Sequence, residues 1–508
     1  MVKFEYLIGS QKESADVNPG MTIFETMQKI GLDFSFPCSG MRRCGKCKVL
    51  VQGKLSPVCE VERRMLGDKA PDNMRLACFA KVEGDVEIVL PENKGDDKIM
   101  LQFSTLQETL NPNYAGDYGF AVDIGTTTIA YYLFAKDSLW PLACNGELNQ
   151  QKRYGADVLS RIEYANRNGV APLCQTIRQQ LSASFLHLCG VANISPEKVD
   201  KAVITGNTVM LHLLDGLDPH PLAEAPFRMV SNFGKHADWR IDEFPEMEIY
   251  LPRCISAYLG ADVTCSMLST GLPDLPDGTL LVDIGTNGEM VLKTNGTLLC
   301  CSTAAGPAFE GGAISSGVSA RPGAISKVWA EDGRMYYDTI DNLDAVGVCG
   351  SGLVDAVSVA VELGIISKRG NIGRGRGAFE IGDSGICLTQ KDIRQLQLAK
   401  AAIRAGVDTL LEMCGFSVED IQGLILCGGF GSFLDPGSAA GIGMIPIEIA
   451  DKFRSSGNGA GAGASIILQN RGKEAESVRI ADQSEVVELS YSRLFSKKFV
   501  DSMSFPEI

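Results

Sequence analysis

The chain reads LLVDIGTNGEMVL over residues 280–292, where an apolar run ends in Asp-Ile-Gly-Thr, turns at glycine and returns as a second apolar run. The same pattern stands about 160 residues earlier, where residues 120–130 read FAVDIGTTTIA. Each copy predicts a strand, a tight turn and a second strand. Two copies in the same context predict a duplicated α/β domain with a cleft between its halves.

The two predicted turns are suited to binding phosphate. Backbone N–H groups and small hydroxyls at a glycine turn form a concave site for phosphate oxygens. A carboxylate at the strand end, Asp123 or Asp283, can reach Mg²⁺ directly or through water. One Asp-x-Gly-Thr is common turn chemistry, whereas two copies are a specific signal. The candidate residues are Asp123, Gly125, Thr126, Thr127, Asp283, Gly285, Thr286 and Asn287.

A third glycine-rich turn follows a short apolar strand near the end of the chain. Residues 423–432 read GLILCGGFGS. Because glycine has no side chain, Gly428, Gly429 and Gly431 would let the backbone approach a flat base and its ribose closely. The three turns together favour a nucleotide site over three unrelated glycine turns.

Length and composition bound the class of protein. The 508 residues are enough for two to four domains, and 45% hydrophobic with 21% charged residues is typical of globular proteins. The first twenty residues are polar and no apolar run is long enough to span a bilayer, so we expect a cytoplasmic protein without membrane association.

Charge is distributed unevenly along the chain. The net charge of −15 argues against a nucleic-acid partner. Residues 36–81 carry ten basic and four acidic side chains, so this segment has a charge of +6 and the remainder −21. We expect the basic segment to dock an acidic electron donor, such as a ferredoxin or a flavodoxin, or the acidic body itself.

Five of the sixteen cysteines lie within the first 80 residues. Cys38, Cys44 and Cys47 have the spacing C-x₅-C-x₂-C, and Cys78 closes an Arg-Leu-Ala-Cys motif thirty residues further on. A thioredoxin-type pair would leave two thiols unexplained, and zinc sites usually use two separate C-x₂-C units. A [2Fe–2S] site accounts for all four thiolates. Cys59 has no place in the pattern and is expected to be a non-ligand.

The spacing and the closing motif resemble the adrenodoxin-like branch of [2Fe–2S] ferredoxins. The resemblance implies an α+β domain of ferredoxin-like (β-grasp) type. We therefore divide the chain into a ferredoxin domain at 1–91, a linker at 92–118, a first half of the body at 119–278 and a second half with a C-terminal segment at 279–508. The clearest predicted helix covers 389–414, with Thr389 as its N-cap and Gly415 at its end.

The body resembles the actin, sugar kinase and heat-shock chaperone ATPase superfamily through residues 123–126, 283–286 and 428–431. The resemblance implies an α/β fold in which two ribonuclease-H-like halves enclose ATP. Residues 301–312, 347–355 and 392–403 resemble a narrower family, the reductive activators of corrinoid proteins. That family resemblance implies a homodimer that couples ATP to electron transfer and returns a Co(II) corrinoid on a methyltransferase partner to Co(I).

Other functions remain open at this stage. A small-molecule kinase with an accessory cluster would need a base or orienting group, for which Glu289, Glu310 and Asp355 are candidates. A third possibility is a redox sensor or scaffold in which ATP only stabilises the fold. Activators of radical dehydratases usually bridge a [4Fe–4S] cluster between subunits and lack the N-terminal domain. The glycine- and serine-rich loop 305–319 is a candidate corrinoid contact or a hinge.

Overall fold

The computed structural model describes most of the chain. The described residues are 1–8, 11–30, 42, 47–67, 70–71, 73–89, 110–112, 114–373, 377–431 and 433–506. The predicted ligands Cys38 and Cys44 and most of the predicted linker 92–118 lie outside them. The chain divides into two compact units, of which the first comprises Met1–Gly95, Leu148–Gln180 and Leu213–Pro226, and the second Asp96–Glu147, Leu181–His212 and Phe227–Ile508.

The N-terminal segment forms a five-stranded mixed sheet with the strand order β2-β1-β5-β3-β4. β1 and β5 run parallel at its centre, and the other neighbours are antiparallel. Phe4, Ile23 and Ile88 are fully buried in one core between the sheet and α1. This arrangement confirms the predicted α+β ferredoxin-like class. Its elements are β1 (Val2–Ile8), β2 (Gln11–Val17), α1 (Ile23–Lys29), β3 (Lys48–Leu55), α2 (Glu60–Leu66), β4 (Met74–Leu76) and β5 (Val82–Val89).

The next part of the chain builds a six-stranded sheet with the order β10-β11-β9-β6-β7-β8. β6 and β7 form the first predicted hairpin, and β9 adds in parallel on the other side of β6. The elements are β6 (Tyr118–Ile124), β7 (Thr128–Ala135), β8 (Ala143–Leu148), α3 (Val158–Asn168), α4 (Ala171–Ala192), β9 (Val199–Gly206), α5 (Thr208–Asp215), β10 (Lys235–His236), β11 (Glu248–Leu251) and α6 (Ala261–Thr270).

The remainder of the chain repeats this plan in a sheet with the order β21-β20-β12-β13-β14-β22. β12 and β13 form the second predicted hairpin, and β20 adds in parallel to β12 as β9 does to β6. The elements are β12 (Thr279–Ile284), β13 (Gly288–Thr294), β14 (Thr297–Thr303), β15 (Ala324–Glu331), β16 (Arg334–Thr339), β17 (Gly347–Val348), α7 (Gly350–Glu362), β18 (Ala378–Glu380), β19 (Cys387–Thr389), α8 (Gln390–Cys414), β20 (Gly423–Cys427), α9 (Gly428–Gly431), α10 (Pro436–Gly441), β21 (Phe453–Gly457), α11 (Gly459–Gln469), α12 (Lys473–Asp482), β22 (Ser484–Val486) and α13 (Arg493–Asp501).

Helix α8 confirms the prediction for residues 389–414. The Thr389 hydroxyl accepts a hydrogen bond from the backbone N–H of Asp392 at 3.3 Å, and the Asp392 carboxylate accepts one from the Thr389 N–H at 2.8 Å. Gly415 ends the helix in the left-handed conformation at φ 70°, which costs glycine little. Among the helices of the described residues, none combines the length and the apolar character that crossing a bilayer requires.

Helices α6 and α11 pack closely, and small residues make this possible. One core contains Tyr132 and Val203 of the first sheet together with Leu281 of the second, and both helices contribute to it. α11 opens with alternating glycine and alanine. A methyl group added at Gly463 would lie 2.1 Å from the carbonyl oxygen of Cys265 in α6. The two helix backbones therefore approach each other at a position where only glycine fits.

Two helical glycines give matched tests of this contact. We expect Gly463→Ala to lower the free energy of unfolding by about 1–3 kcal/mol, because the methyl group must push the helices apart. Gly190→Ala in α4 meets no atom within 4 Å and should instead raise stability by about 0.5–1 kcal/mol through helix propensity. Urea unfolding of the two variants measures both effects. A Gly463→Ala variant as stable as the parent would contradict the close packing.

Candidate nucleotide site and cysteine pair

The predicted phosphate motifs meet in one cavity of about 210 Å³. Every predicted nucleotide residue lines it except Gly431, which is buried in α9 with Leu426 beside it. Asp262, Asn207, Glu289, Glu310 and Asn458 also line it. The predicted residues that the structure brings together here are Asp123, Gly125, Thr126, Thr127, Asp283, Gly285, Thr286, Asn287, Gly428 and Gly429.

In both hairpin turns the backbone N–H of the motif glycine donates to a carbonyl on the returning side of the turn, three residues on in the first and two in the second. The Gly125 N–H donates to the Thr128 carbonyl at 2.9 Å, and the Gly285 N–H donates to the Asn287 carbonyl at 2.8 Å. A side chain at Gly125 would come within 2.7 Å of that carbonyl oxygen. The motif glycine therefore allows the tight turn that directs the threonines into the cavity.

Glu310 joins the two hairpins. It ends a short 3-10 helix, Pro307–Glu310, that follows β14. Its carboxylate accepts a hydrogen bond from the Thr286 hydroxyl at 2.9 Å and another from the Thr127 hydroxyl at 3.1 Å. Burial raises the pKa of Glu310, although both threonine hydroxyls act in the opposite direction. One carboxylate thus contacts both predicted phosphate turns.

Four further carboxylates make the cavity strongly acidic. Burial, and then the charges of Asp262 and Asp283, raise the pKa of Asp123 to about 7. Burial and the charge of Asp262 raise that of Asp283 to about 7, and burial raises that of Asp262 to about 6. Glu289 lies opposite Asp283 across the hairpin. Burial, and then the charges of Asp262 and Asp283, hold the pKa of Glu289 well above its usual range. The site therefore favours a cation.

The sequence reasoning did not find Asp262, Asn207 or Asn458. Asp262 opens α6 after Gly260-Ala261, and Asn458 caps α11 by accepting a hydrogen bond from the Gly461 N–H at 2.9 Å. Asn207 donates to the Thr126 hydroxyl at 3.0 Å. Each looks like an ordinary helix-start residue in the sequence. The one available signal was that Asn207 and Asn458 each adjoin a glycine, whereas Asp262 lies two residues after Gly260.

The glycine turn after β20 approaches the second hairpin at Gly428. Its φ is +85°, and a side chain there would lie 2.6 Å from Oδ1 of Asp283. Phe430 stacks on Phe309 of the Glu310 segment with ring centres 4.7 Å apart. The predicted adenosine turn, the second phosphate turn and the Glu310 segment are therefore in contact.

The kinase candidates are not brought together. Glu289 and Glu310 line the nucleotide cavity, whereas Asp355 lies on α7 and lines a different one. Asp355 accepts a hydrogen bond from the Val328 N–H at 3.2 Å. Of the three candidate bases for a kinase, only Glu289 and Glu310 therefore lie where a nucleotide would bind.

In the ferredoxin domain, Cys47 and Cys78 lie side by side and are buried, with their sulfur atoms 3.2 Å apart. Cys47 precedes β3 and Cys78 follows β4, so the fold brings together the loop and the distant strand end that the motif predicted. Two adjacent thiols in this arrangement fit the ligand set of a [2Fe–2S] cluster. Cys59 instead caps α2, where its sulfur accepts from the Glu62 N–H at 3.5 Å.

A buried ion pair holds the strand end that carries Cys78. Arg75 donates through Nε and Nη2 to the two carboxylate oxygens of Glu62, at 2.9 and 3.0 Å. The same carboxylate accepts from the Leu76 N–H at 2.9 Å. Because a bidentate pair of this kind fixes geometry, Glu62 positions the Arg-Leu-Ala-Cys segment.

Comparisons with known proteins match both the N-terminal domain and the body. The model of the 2Fe-2S iron–sulfur cluster binding domain matches residues 7–83. The RACo middle region matches residues 118–274, and the C-terminal domain of RACo, described as the ASKHA domain, matches residues 277–508. The fold and the sites thus define an ATPase of ASKHA type with an N-terminal [2Fe–2S] ferredoxin domain.

Individual relatives are consistent with this class. The corrinoid activation enzyme RamQ of Eubacterium limosum is 34% identical over 387 residues, which cover 70% of this chain and 64% of RamQ. The [Co(II) methylated amine-specific corrinoid protein] reductase of Methanosarcina barkeri is 27% identical and covers 76% of this chain and 77% of that protein. A solved structure of a reductive activator for corrinoid, iron–sulfur protein superposes with a TM-score of 0.72 at 27% identity, covering 100% of this chain and 98% of that one.

The chain belongs to the family of reductive activators of corrinoid proteins, because RACo models match both parts of its body and the ferredoxin model matches its N-terminal domain. It spans just under two thirds of the length of RamQ.

The carboxyl cluster predicts an unusual pH dependence of stability. Burial raises the pKa values of Asp123 and Asp283 to about 7 in the folded chain, against a usual value of 3.8, so the folded state binds protons that the unfolded state has released. Without divalent cations, the free energy of unfolding should therefore fall as pH rises from about 4 to 7, by up to about 1.4 kcal/mol per pH unit for each proton. Thermal unfolding across this range measures the slope.

A matched pair of variants tests the origin of this slope. Asp283→Asn should flatten it, whereas Asp274→Asn, at an exposed carboxylate outside the cavity, should retain it. Magnesium should restore stability above pH 7, because a cation favours ionised carboxylates. Stability that rises through this window without magnesium would contradict the assignment.

Proposed function

We propose that this protein uses ATP to drive one-electron reduction of a Co(II) corrinoid to Co(I) on a methyltransferase partner. One observation supports it above all: a single chain carries a ferredoxin domain with paired buried thiols and an ATPase body with two phosphate turns on one acidic cavity. The names of the relatives, a corrinoid activation enzyme and a Co(II) corrinoid protein reductase, point to the same reaction.

Cys38, Cys44, Cys47 and Cys78 would hold the [2Fe–2S] cluster, which stores and releases single electrons when bound. The chain's own part is to keep two of these thiols buried and adjacent, with the Arg42 Nε–H donating to the Cys78 carbonyl at 3.0 Å. Buried ligands held by the protein limit the rearrangement that accompanies a change of charge.

In the body, the turns at Gly125 and Gly285 would bind the phosphates, and Gly428 with Gly429 would approach the adenosine. Asp123 and Asp283 are our candidates to hold Mg²⁺. In the part of the chain that the structure describes, no three His, Cys, Asp or Glu side chains are placed to hold a metal ion by themselves. This fits Mg²⁺, which commonly uses one or two carboxylates together with water and phosphate oxygens.

We further propose an acidic donor, such as a ferredoxin or flavodoxin, for the basic N-terminal segment. Arg63 and Arg64 are exposed on α2, whereas Arg75 is buried in its pair with Glu62 and does not contribute to a docking surface. The homodimer and the cytoplasmic location remain predictions from the family resemblance and the sequence.

An anaerobic spectroscopic assay tests the main proposal. The reduced protein is mixed with a Co(II) corrinoid methyltransferase subunit, and Co(I) is followed in the visible spectrum with and without Mg²⁺–ATP. We expect Co(I) only with ATP. The double variant Asp123→Asn, Asp283→Asn should keep its cluster absorption and lose at least about tenfold in rate, since it cannot hold the cation as well.

Asp274→Asn is the matched control and should retain full activity. An unchanged rate of Co(II) reduction by the double variant would contradict the proposed coupling to ATP. ATP turnover that yields a phosphorylated small molecule and no Co(I) would favour the kinase alternative.

The donor proposal predicts a salt-dependent defect. Arg63→Glu together with Arg64→Glu should slow reduction of the cluster by an acidic ferredoxin several-fold at low ionic strength, and the difference should shrink at high salt because screening weakens exposed charges. Stopped-flow reduction at two salt concentrations measures it. Reduction by dithionite, which needs no docked protein, serves as the control. Equal rates with ferredoxin at low salt would reject this surface.

A further inference from the structure

A second cavity, separate from the nucleotide site, opens beside α7. It has a volume of about 1600 Å³ and is lined by β15, one face of α7 and the α10 region. Small-molecule sites usually measure about 300–1,000 Å³. The groove is therefore larger than a metabolite needs. The phosphate and adenosine turns do not line it.

The floor of this groove holds a buried carboxylate. Asp355 is only 4% exposed. One oxygen, Oδ2, accepts from the Val328 N–H at 3.2 Å, and the nearby Ser438 side chain lowers the pKa of the carboxyl, whereas Oδ1 accepts no hydrogen bond from the described residues. A buried oxygen without a partner is costly. Since the side chain lines the groove, a donor that enters there can satisfy it.

The charges around Asp355 favour a cation as that donor. Asp435, Glu362 and Glu448 also line the groove. Of its two cationic side chains, Arg404 is already paired, donating to both carboxylate oxygens of Asp408 at 2.9 and 3.0 Å. Lys327 lies 5.9 Å from the ring centre of Trp329, and its charge lowers the pKa of Asp355 less than burial raises it. The carboxylates thus outnumber the lining cations, and a positive charge from outside would complement them.

The walls and rim of the groove are apolar, which indicates a protein segment as the source of that charge. Phe433 and Ile447 are 64% and 65% exposed and both line the groove. Large exposed apolar side chains beside a deep pocket are typical of surfaces that bind another protein. A lysine combines an ammonium group with an apolar stem, so it matches both the walls and the floor.

We propose that this groove binds a partner protein through a lysine flanked by apolar residues, with the lysine ammonium on Oδ1 of Asp355 and the flanking side chains on Phe433 and Ile447. The lining carboxylates come from different elements, with Glu362 on α7 and Asp435 before α10, and a compact ammonium with three donors suits such a set better than a planar guanidinium. None of the residues named in this proposal lines the nucleotide cavity.

Trp329 lines the groove and can report on binding. A variant in which Trp140 and Trp239 are replaced by Phe leaves Trp329 as the only tryptophan. The probes are the peptide acetyl-Leu-Lys-Leu-amide and its Leu-Gln-Leu counterpart, titrated to about 10 mM because short peptides bind weakly. We expect a saturable fluorescence change with the lysine peptide and weaker binding of the glutamine peptide.

Substitutions at two carboxylates of α7 distinguish the buried acid from general acidity. Asp355→Asn keeps an acceptor for the Val328 N–H and should fold, yet it should bind the lysine peptide at least about thirtyfold more weakly, as expected for a lost buried charge pair. Glu362→Gln removes the same charge from an exposed position in the same groove and should change affinity less than about fivefold. Melting curves verify that both variants fold.

Three outcomes would overturn the proposal. The first is no saturable change with the lysine peptide, and the second is equal binding of the lysine and glutamine peptides. The third is Asp355-dependent binding of free n-hexylammonium without binding of the peptide, which would assign the groove to a small amine. Because no nucleotide or corrinoid is present in this titration, its result is independent of the proposed reductive function.

Discussion

The body depends on keeping four partly buried acidic side chains together in one cavity. Asp283 and Glu289 face each other across the second hairpin, and Asp123 and Asp262 share the same cavity. Burial and mutual repulsion both oppose ionisation of such groups. The fold tolerates them because strand ends and a helix start fix their positions, and because Gly428 leaves room beside the Asp283 carboxylate. A cation bound with a triphosphate relieves this repulsion, so nucleotide binding and the stability of the site are physically linked.

Glu310 connects the two hairpins of the cavity to the loop that follows it in the chain. Its carboxylate accepts from Thr127 and Thr286, one in each predicted phosphate turn. A phosphate that attracts the hydroxyls competes with Glu310 for them. The segment after Glu310 reaches helix α8, where the Ser315 N–H donates to the Asp392 carboxylate at 2.8 Å. Loop 305–319, considered from the sequence as a hinge or a corrinoid contact, therefore joins the phosphate turns to the start of the longest helix among the described residues.

The sequence predicted what is local and missed what depends on distant contacts. The paired Asp-Ile-Gly-Thr motifs predicted both hairpins, because strand, turn and carboxylate are adjacent in the chain. Thr389 and Gly415 likewise defined a helix from its ends. Asp262 was missed since its role arises only when α6 carries it into the cavity between the hairpins. Gly431 was assigned to the nucleotide by motif, yet its backbone turns inward and packs against Leu426.

In the ferredoxin domain, the number of basic residues in the sequence overstates the positive charge that the surface exposes. Arg75 contributes to the basic segment in the sequence, but in the structure it is bound to Glu62 and fixes the strand end before Cys78. The Arg75–Glu62 pair positions the segment that carries Cys78. The exposed positive charge comes instead from residues such as Arg63 and Arg64. In the proposed reaction, ATP can alter electron transfer only by its differential affinity for two states, so the proposed coupling acts through a conformation of the body or of the complex.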